Sequence, residues 1–307
     1  MFRIAQRNGV TLAYGSIDEL KAAYDFADLQ EFIDLSYAGM SVLLTEQDFY
    51  DLTTAYLKRD VADGDVHTEI FFDPQGHTER GVAFETALDG ICRALRDAEA
   101  EHGITSRLIM CFLRHLDEAE AFPILEAAMD HRDRIIGVGL DSSELGHPPQ
   151  KYERVFAAAR EAGFKLDAHA GEEGPPGYVR DTLDLLHVSR VDHGNAAMRD
   201  PALVARLTAD KMPLTVCPLS NYRLQGVTDM TQQPLKAMLD AGVMATVNSD
   251  DPVYFGGYVV DNYIAVRDAL GVTQDEIVTL AKNSITASFL EEDAKAGWLA
   301  EIDAAVS

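Results

Sequence analysis

A chain of 307 residues, 47% hydrophobic and 25% charged, can bury a sizeable core and is too apolar for disorder. Its 51 acidic residues against 26 basic ones leave a net charge of −25, which repels phosphate backbones and anionic lipid headgroups, so neither a nucleic-acid nor a membrane partner is expected. Three cysteines without a close pair (Cys92, Cys111, Cys217) make neither a disulfide framework nor a C-x-x-C metal site and suit a reducing cytoplasm, and no apolar stretch reaches membrane-spanning length.

Residues 1–63 read as helices. Met1–Asn8 ends at Asn8-Gly9, and Ser16–Tyr24 opens on a Ser16-x-x-Glu19 capping box. The stretches 28–44 and 45–61 carry apolar residues at helical spacing, among them Leu29, Phe32, Ile33, Phe49, Leu52 and Tyr56. From residue 66 short apolar strands alternate with amphipathic helices. The strands are expected at Val66–Phe72, Leu108–Leu113, Ile135–Leu140, Phe164–His169, Arg190–His193, Leu214–Cys217 and Val243–Val247. Helices fit between them at 82–101, 117–129, 150–162, 179–186, 201–209 and 234–241, and the C-terminal part, 256–307, is helical again. This rhythm predicts an α/β fold with a parallel sheet buried on both faces, in a single domain over 1–307 whose strands and helices occupy 66–250. Seven strands are recognisable, one short of a closed (β/α)8 barrel.

Several of these strands run out at chemistry-bearing residues. Phe164–His169 is followed by Ala170-Gly171-Glu172-Glu173, where small residues allow a sharp turn that aims an imidazole and a carboxylate into one mouth. Such a pair can be a metal ligand beside a proton donor, or two side chains bonded to loop backbone; Glu173 reads as solvated surface. The next strand ends at Asp192-His193-Gly194, and a later one leads into Asn248-Ser249-Asp250-Asp251-Pro252. Two adjacent carboxylates at a buried strand end repel each other and call for a cation nearby, unless the pair merely caps the turn. Cys217-Pro218-Leu219-Ser220-Asn221 offers polar groups to the same rim without a clear task.

Taken in order, His169-Ala-Gly-Glu172, His193-Gly194, Cys217-Pro-Leu-Ser-Asn221 and Asn248-Ser-Asp-Asp-Pro252 resemble the motifs of the adenosine/adenine deaminase family of the amidohydrolase superfamily, from the N-terminal helices to about residue 290. The resemblance implies a TIM-type barrel holding one Zn²⁺ per chain, with His169 and Asp250 as metal ligands. It also implies Glu172 as the acid that protonates the purine at N1 and His193 as the base that orients and deprotonates the attacking water. Asp251 would then hydrogen-bond the purine, which is deaminated hydrolytically. Phe71–Thr78 and Asp141–Pro149 look like the adenine deaminase branch, which makes hypoxanthine and ammonia; Glu144, in the second loop, is expected to bind substrate by filling space a ribose would need. Adenosine or an N6-substituted adenine are the alternative substrates, a homo-oligomer is possible, and the cytoplasm is the expected location.

One part of the family pattern is missing. Members begin with a strand ending His-x-His that gives zinc two further ligands; here the first histidine is His67, and neither it nor His77 has that spacing. The expectation is that the natural product starts further upstream; the alternative is an inactive, metal-poor homologue, because catalytic zinc typically keeps at least three protein ligands.

Overall fold

A parallel strand cannot be reached by a tight turn, so each strand needs a crossover, usually a helix. The computed structural model, which describes residues 1–307, follows this rule through two compact units, 1–143 and 144–307.

The first unit opens with four helices, Phe2–Asn8, Ile17–Ala22, Leu29–Met40 and Glu46–Asp63. Half of the predicted capping box forms: Ser16 Oγ accepts the Glu19 N–H at 3.1 Å, but the Glu19 carboxylate reaches one residue further back and accepts the Gly15 N–H at 2.8 Å instead of that of Ser16. The long helix 84–102 packs against 46–63, and Gly90 is what lets them approach, since a Cβ there would sit 2.3 Å from the Glu46 carbonyl oxygen. Three parallel strands complete the unit: β1 (His67–Phe72), β2 (Thr105–Leu113) and β3 (Ile135–Asp141). The last six residues of β2 are buried, as a strand covered on both faces must be. His67 is occupied within the sheet, with Nδ1 2.8 Å from Thr105 Oγ1 and Nε2 3.2 Å from Glu69 Oε1. Burial pushes the His77 imidazole down to about 4, with the Arg80 guanidinium acting the same way. Both are structural histidines, in keeping with their spacing.

The second unit has four parallel strands, β4 (Lys165–Ala170), β5 (Arg190–His193), β6 (Leu214–Val216) and β7 (Ala245–Val247), paired in that order. The helices between them include Glu153–Glu161, Pro201–Asp210 and Leu235–Asp240, and three longer ones, Val259–Leu270, Gln274–Ala287 and Glu292–Ala305, end the chain. The Asp200 carboxylate caps helix 201–210 by accepting the N–H groups of Ala202 and Leu203, and Pro201 occupies the first turn, where its missing N–H costs nothing. Where one helix was expected over 150–162, a 3₁₀ turn (Pro149–Tyr152) precedes the α-helix, because the ring of Pro149 suits only a helix start. The helix expected over 179–186 is likewise an α segment, Pro176–Asp181, running into a π turn, Thr182–Leu186.

Candidate active site

The C-terminal ends of β4, β5, β6 and β7 lie side by side in the second unit, and register decides what meets there. Asp167 on β4 pairs with Arg190 on β5, and His169 pairs with Asp192. Side chains two apart share a face of a strand, so one face carries Asp167 and His169 against Arg190 and Asp192. The contacts follow from that. Arg190 Nε donates to Asp167 Oδ2 at 2.9 Å, His169 Nδ1 lies 3.2 Å from Asp192 Oδ2, and Thr215 Oγ1 on β6 donates to Asp192 Oδ1 at 2.6 Å. Burial drives the Asp167 carboxyl up. It would do the same to Asp192, but the hydrogen bond from Asp167 and the His169 imidazole hold Asp192 below the usual carboxylate range. Asp192 therefore stands as an anion behind His169, fixing the ring through Nδ1 and leaving Nε2 for the mouth.

Two of the site residues sit in backbone conformations that L-residues avoid: His193 has φ 60° and Asp250 φ 55°. His and Asp tolerate this region better than most residues, and such seats collect at functional sites. The left-handed turn at His193-Gly194 tips the imidazole over the strand end, and Gly194 (φ 71°) has no room for a Cβ, which would fall 2.8 Å from Leu214.

His193 Nε2 lies 3.7 Å from Glu172 Oε2 and 3.9 Å from Asp250 Oδ2, and the rings of His169 and His193 are 5.0 Å apart. On its other side His193 Nδ1 is 3.4 Å from Asn221 Oδ1. Four of the predicted residues, His169, Glu172, His193 and Asp250, thus share one mouth. Asp251 is exposed beside it, at the start of the short helix Pro252–Phe255. Burial, reinforced by the nearby Asp250 charge and opposed by the imidazoles, raises the Glu172 carboxyl to about 7. It can hold or release a proton near neutral pH, as a general acid must.

Cys217 joins the mouth as expected of its motif, but as a candidate metal donor, a task the motif did not reveal: the donor atoms of His193, Cys217 and Asp250 all lie within 4.8 Å of one another. Burial raises the Cys217 thiol, and Asp250, Asp192 and Glu172 push the same way. Two imidazoles, a thiol and a carboxylate converging beside a second buried carboxyl form a donor set suited to zinc, and a divalent cation would relieve the crowding of negative charge. The residues present fit a metal.

Glu144 departs from its expected place. Both its carboxylate oxygens accept backbone N–H groups of the loop after β4, from Gly171 at 2.6 Å, Glu173 at 2.9 Å and Gly174 at 2.8 Å. Glu172 stands between those donors. The tight turn leaves these amides without strand partners, and a buried carboxylate is the acceptor they find.

The adenosine deaminase family profile matches residues 1–305, and the chain belongs to that family. An adenine deaminase from Sphingopyxis alaskensis is 63% identical over 99% of this chain and 89% of its own length. An adenine deaminase from Acinetobacter baylyi is 56% identical over 99% of this chain and 91% of its own length. Among solved structures, the adenine deaminase of Arthrobacter aurescens matches with a TM-score of 0.97 at 49% identity, covering 99% of this chain and 93% of that one, so the chain has the α/β TIM-type fold of that enzyme. An amidohydrolase from Burkholderia ambifaria with bound zinc matches with a TM-score of 0.90 at 28% identity, over 98% of this chain and 85% of that one. No helix is long and apolar enough to cross a membrane.

Proposed function

We propose that the protein hydrolyses adenine to hypoxanthine and ammonia at the mouth formed by β4, β5, β6 and β7. The observation that carries this reading is the buried Glu172 carboxyl, raised to about 7 and set 3.7 Å from His193, in a chain whose relatives at 56–63% identity are adenine deaminases. Zinc is the metal the donors suit: His169 and Asp250 would hold it, with His193 and Cys217 facing it, and it would supply the Lewis acidity that brings the pKa of water toward neutrality.

The chain's own groups do the rest. Glu172, which its raised value lets carry a proton near neutral pH, delivers that proton to N1 of the purine and so makes C6 electrophilic. His193 orients the attacking water and takes its proton at Nε2. Its Nδ1 is steadied by Asn221, which in turn donates to Gln233 Oε1 at 3.5 Å. Asp251, exposed at the rim, would accept a hydrogen bond from the purine edge. The amino group takes the proton held by His193 and leaves as ammonia, and the C6 hydroxyl returns its proton to Glu172 as C6 goes back to sp² geometry. The acid surface favours a small uncharged base over a nucleotide, whose phosphate the field of a −25 chain would repel.

The test is ammonia release from adenine, adenosine and N6-methyladenine by the zinc-loaded protein, with Glu172→Gln as control. Adenine should be the preferred substrate, and the variant should lose roughly 100- to 10,000-fold in kcat. Turnover confined to adenosine, or a Glu172→Gln variant as fast as the parent, would overturn the assignment.

A further inference from the structure

Glu172 is carried by a loop, and loops hold side chains less firmly than strands do. β4 ends at Ala170, Gly171 turns with φ 74°, and the next three residues are Glu172, Glu173 and Gly174. What fixes this turn comes from outside it. Glu144 is 1% exposed, and it reaches across to grip the amides of Gly171, Glu173 and Gly174. One oxygen serves the residue before Glu172, and the other serves the two residues after it.

The loop is fitted to this grip. A Cβ at Gly174 would lie 2.5 Å from Glu144 Oε1 and 2.7 Å from the Tyr178 ring, and one at Gly171 would lie 2.7 Å from Val179 Cγ2. Side chains at either position would drive the backbone off the carboxylate. Hydrogen bonds to an ionised acceptor are roughly twice as strong as neutral ones, so three of them onto one buried group give a stiff clamp.

We infer that Glu144 is a positioning residue for the deamination proposed above, on which this inference rests: by holding the amides on both sides of Glu172 it fixes that carboxyl against His193 without touching the purine. The consequence is kinetic. A displacement of about 1 Å of a reacting group costs on the order of 100-fold in rate, so loosening the clamp should slow the chemical step and leave purine affinity largely alone.

Glu144→Gln and Glu144→Ala in the full zinc-loaded chain test this. Glutamine keeps the volume, but its amide nitrogen cannot accept, so it must give up either the Gly171 bond or the Glu173 and Gly174 bonds. Both variants should lose roughly 10- to 100-fold in kcat with KM for adenine changed by less than about threefold. The Gly171, Glu173 and Gly174 amides should exchange faster with deuterium, while the glutamine variant keeps the parent's zinc content and far-ultraviolet circular dichroism. A raised KM at unchanged kcat with those amides still protected would make Glu144 a substrate contact and overturn the inference. Faster amide exchange with kcat and KM both unchanged would reduce it to a structural staple and overturn it equally. A parent inactive on adenine, adenosine and N6-methyladenine alike would defeat the deaminase reading itself, and this inference with it; that outcome is told apart because it is seen in the parent.

Discussion

His169 owes its direction to its register partner on the neighbouring strand, Asp192, which lies outside its own motif. Asp192 sits 3.2 Å from Nδ1, nearly free of solvent, and is itself held by Thr215 and Asp167. A carboxylate behind a ligating imidazole fixes the tautomer and raises its basicity, and losing such a partner commonly costs 10- to 100-fold in metal affinity. Asp192→Asn should therefore bind zinc roughly 10- to 100-fold more weakly, read by competition with a chelator, with its far-ultraviolet circular dichroism unchanged. Undiminished affinity would mean that His169 either needs no orienting or does not ligate.

At the scale of elements, the tightest constraint is the crossing of helices 46–63 and 84–102, where Gly90 leaves no room for a methyl group. The obstacle is backbone, the Glu46 carbonyl and the Tyr50 amide, so relief requires the helices to part. Gly90→Ala would gain helix propensity on paper, but should destabilise by about 1–3 kcal/mol from overpacking. A melting temperature equal to or above the parent's would refute that packing.

Elements with strong periodicity were legible in the chain. β5 falls on Arg190–His193 as expected, and the other strands within a few residues, because apolar runs between helices admit little else. The helix Pro218–Arg223 was not found: six residues after a strand show no period to read. The convergence of His169, Glu172, His193 and Asp250 was legible because each closes a strand or follows one. The Asp192 support and the Glu144 clamp were not, since the first depends on the His169–Asp192 register and the second on a loop folding back across the chain. Glu144 illustrates the difference: its place in a distinctive loop points to a role, but the direction of its carboxylate is set by the folded loop and by the amides it meets there.

For the molecule as a whole, the excess of acid groups makes stability a function of pH. Burial raises Asp60 to about 7 and Asp65 to about 6, with neighbouring carboxylates adding to both. A carboxyl whose folded value lies above its unfolded one binds protons more tightly when folded, so its contribution is present at low pH and is lost as pH climbs from about 4 through 7. Asp60→Asn removes that titration. At pH 8 the variant should be more stable than the parent by on the order of 2 kcal/mol, with the difference shrinking toward pH 5, as measured by urea unfolding. An equal or lower stability at pH 8 would show that Asp60 is ionised at no cost.

The left-handed seats of His193 and Asp250 tie these scales together. Each holds its residue in a conformation it would abandon if released, at a cost of roughly 1–3 kcal/mol apiece. Packing within the surrounding β4–β7 unit must offset that cost. Local breathing of β5 or β7 would let these torsions spring back toward the extended region and scatter the donors. Competence in this protein is thus a collective property, a mechanism kept cocked by the integrity of the whole sheet that bears it.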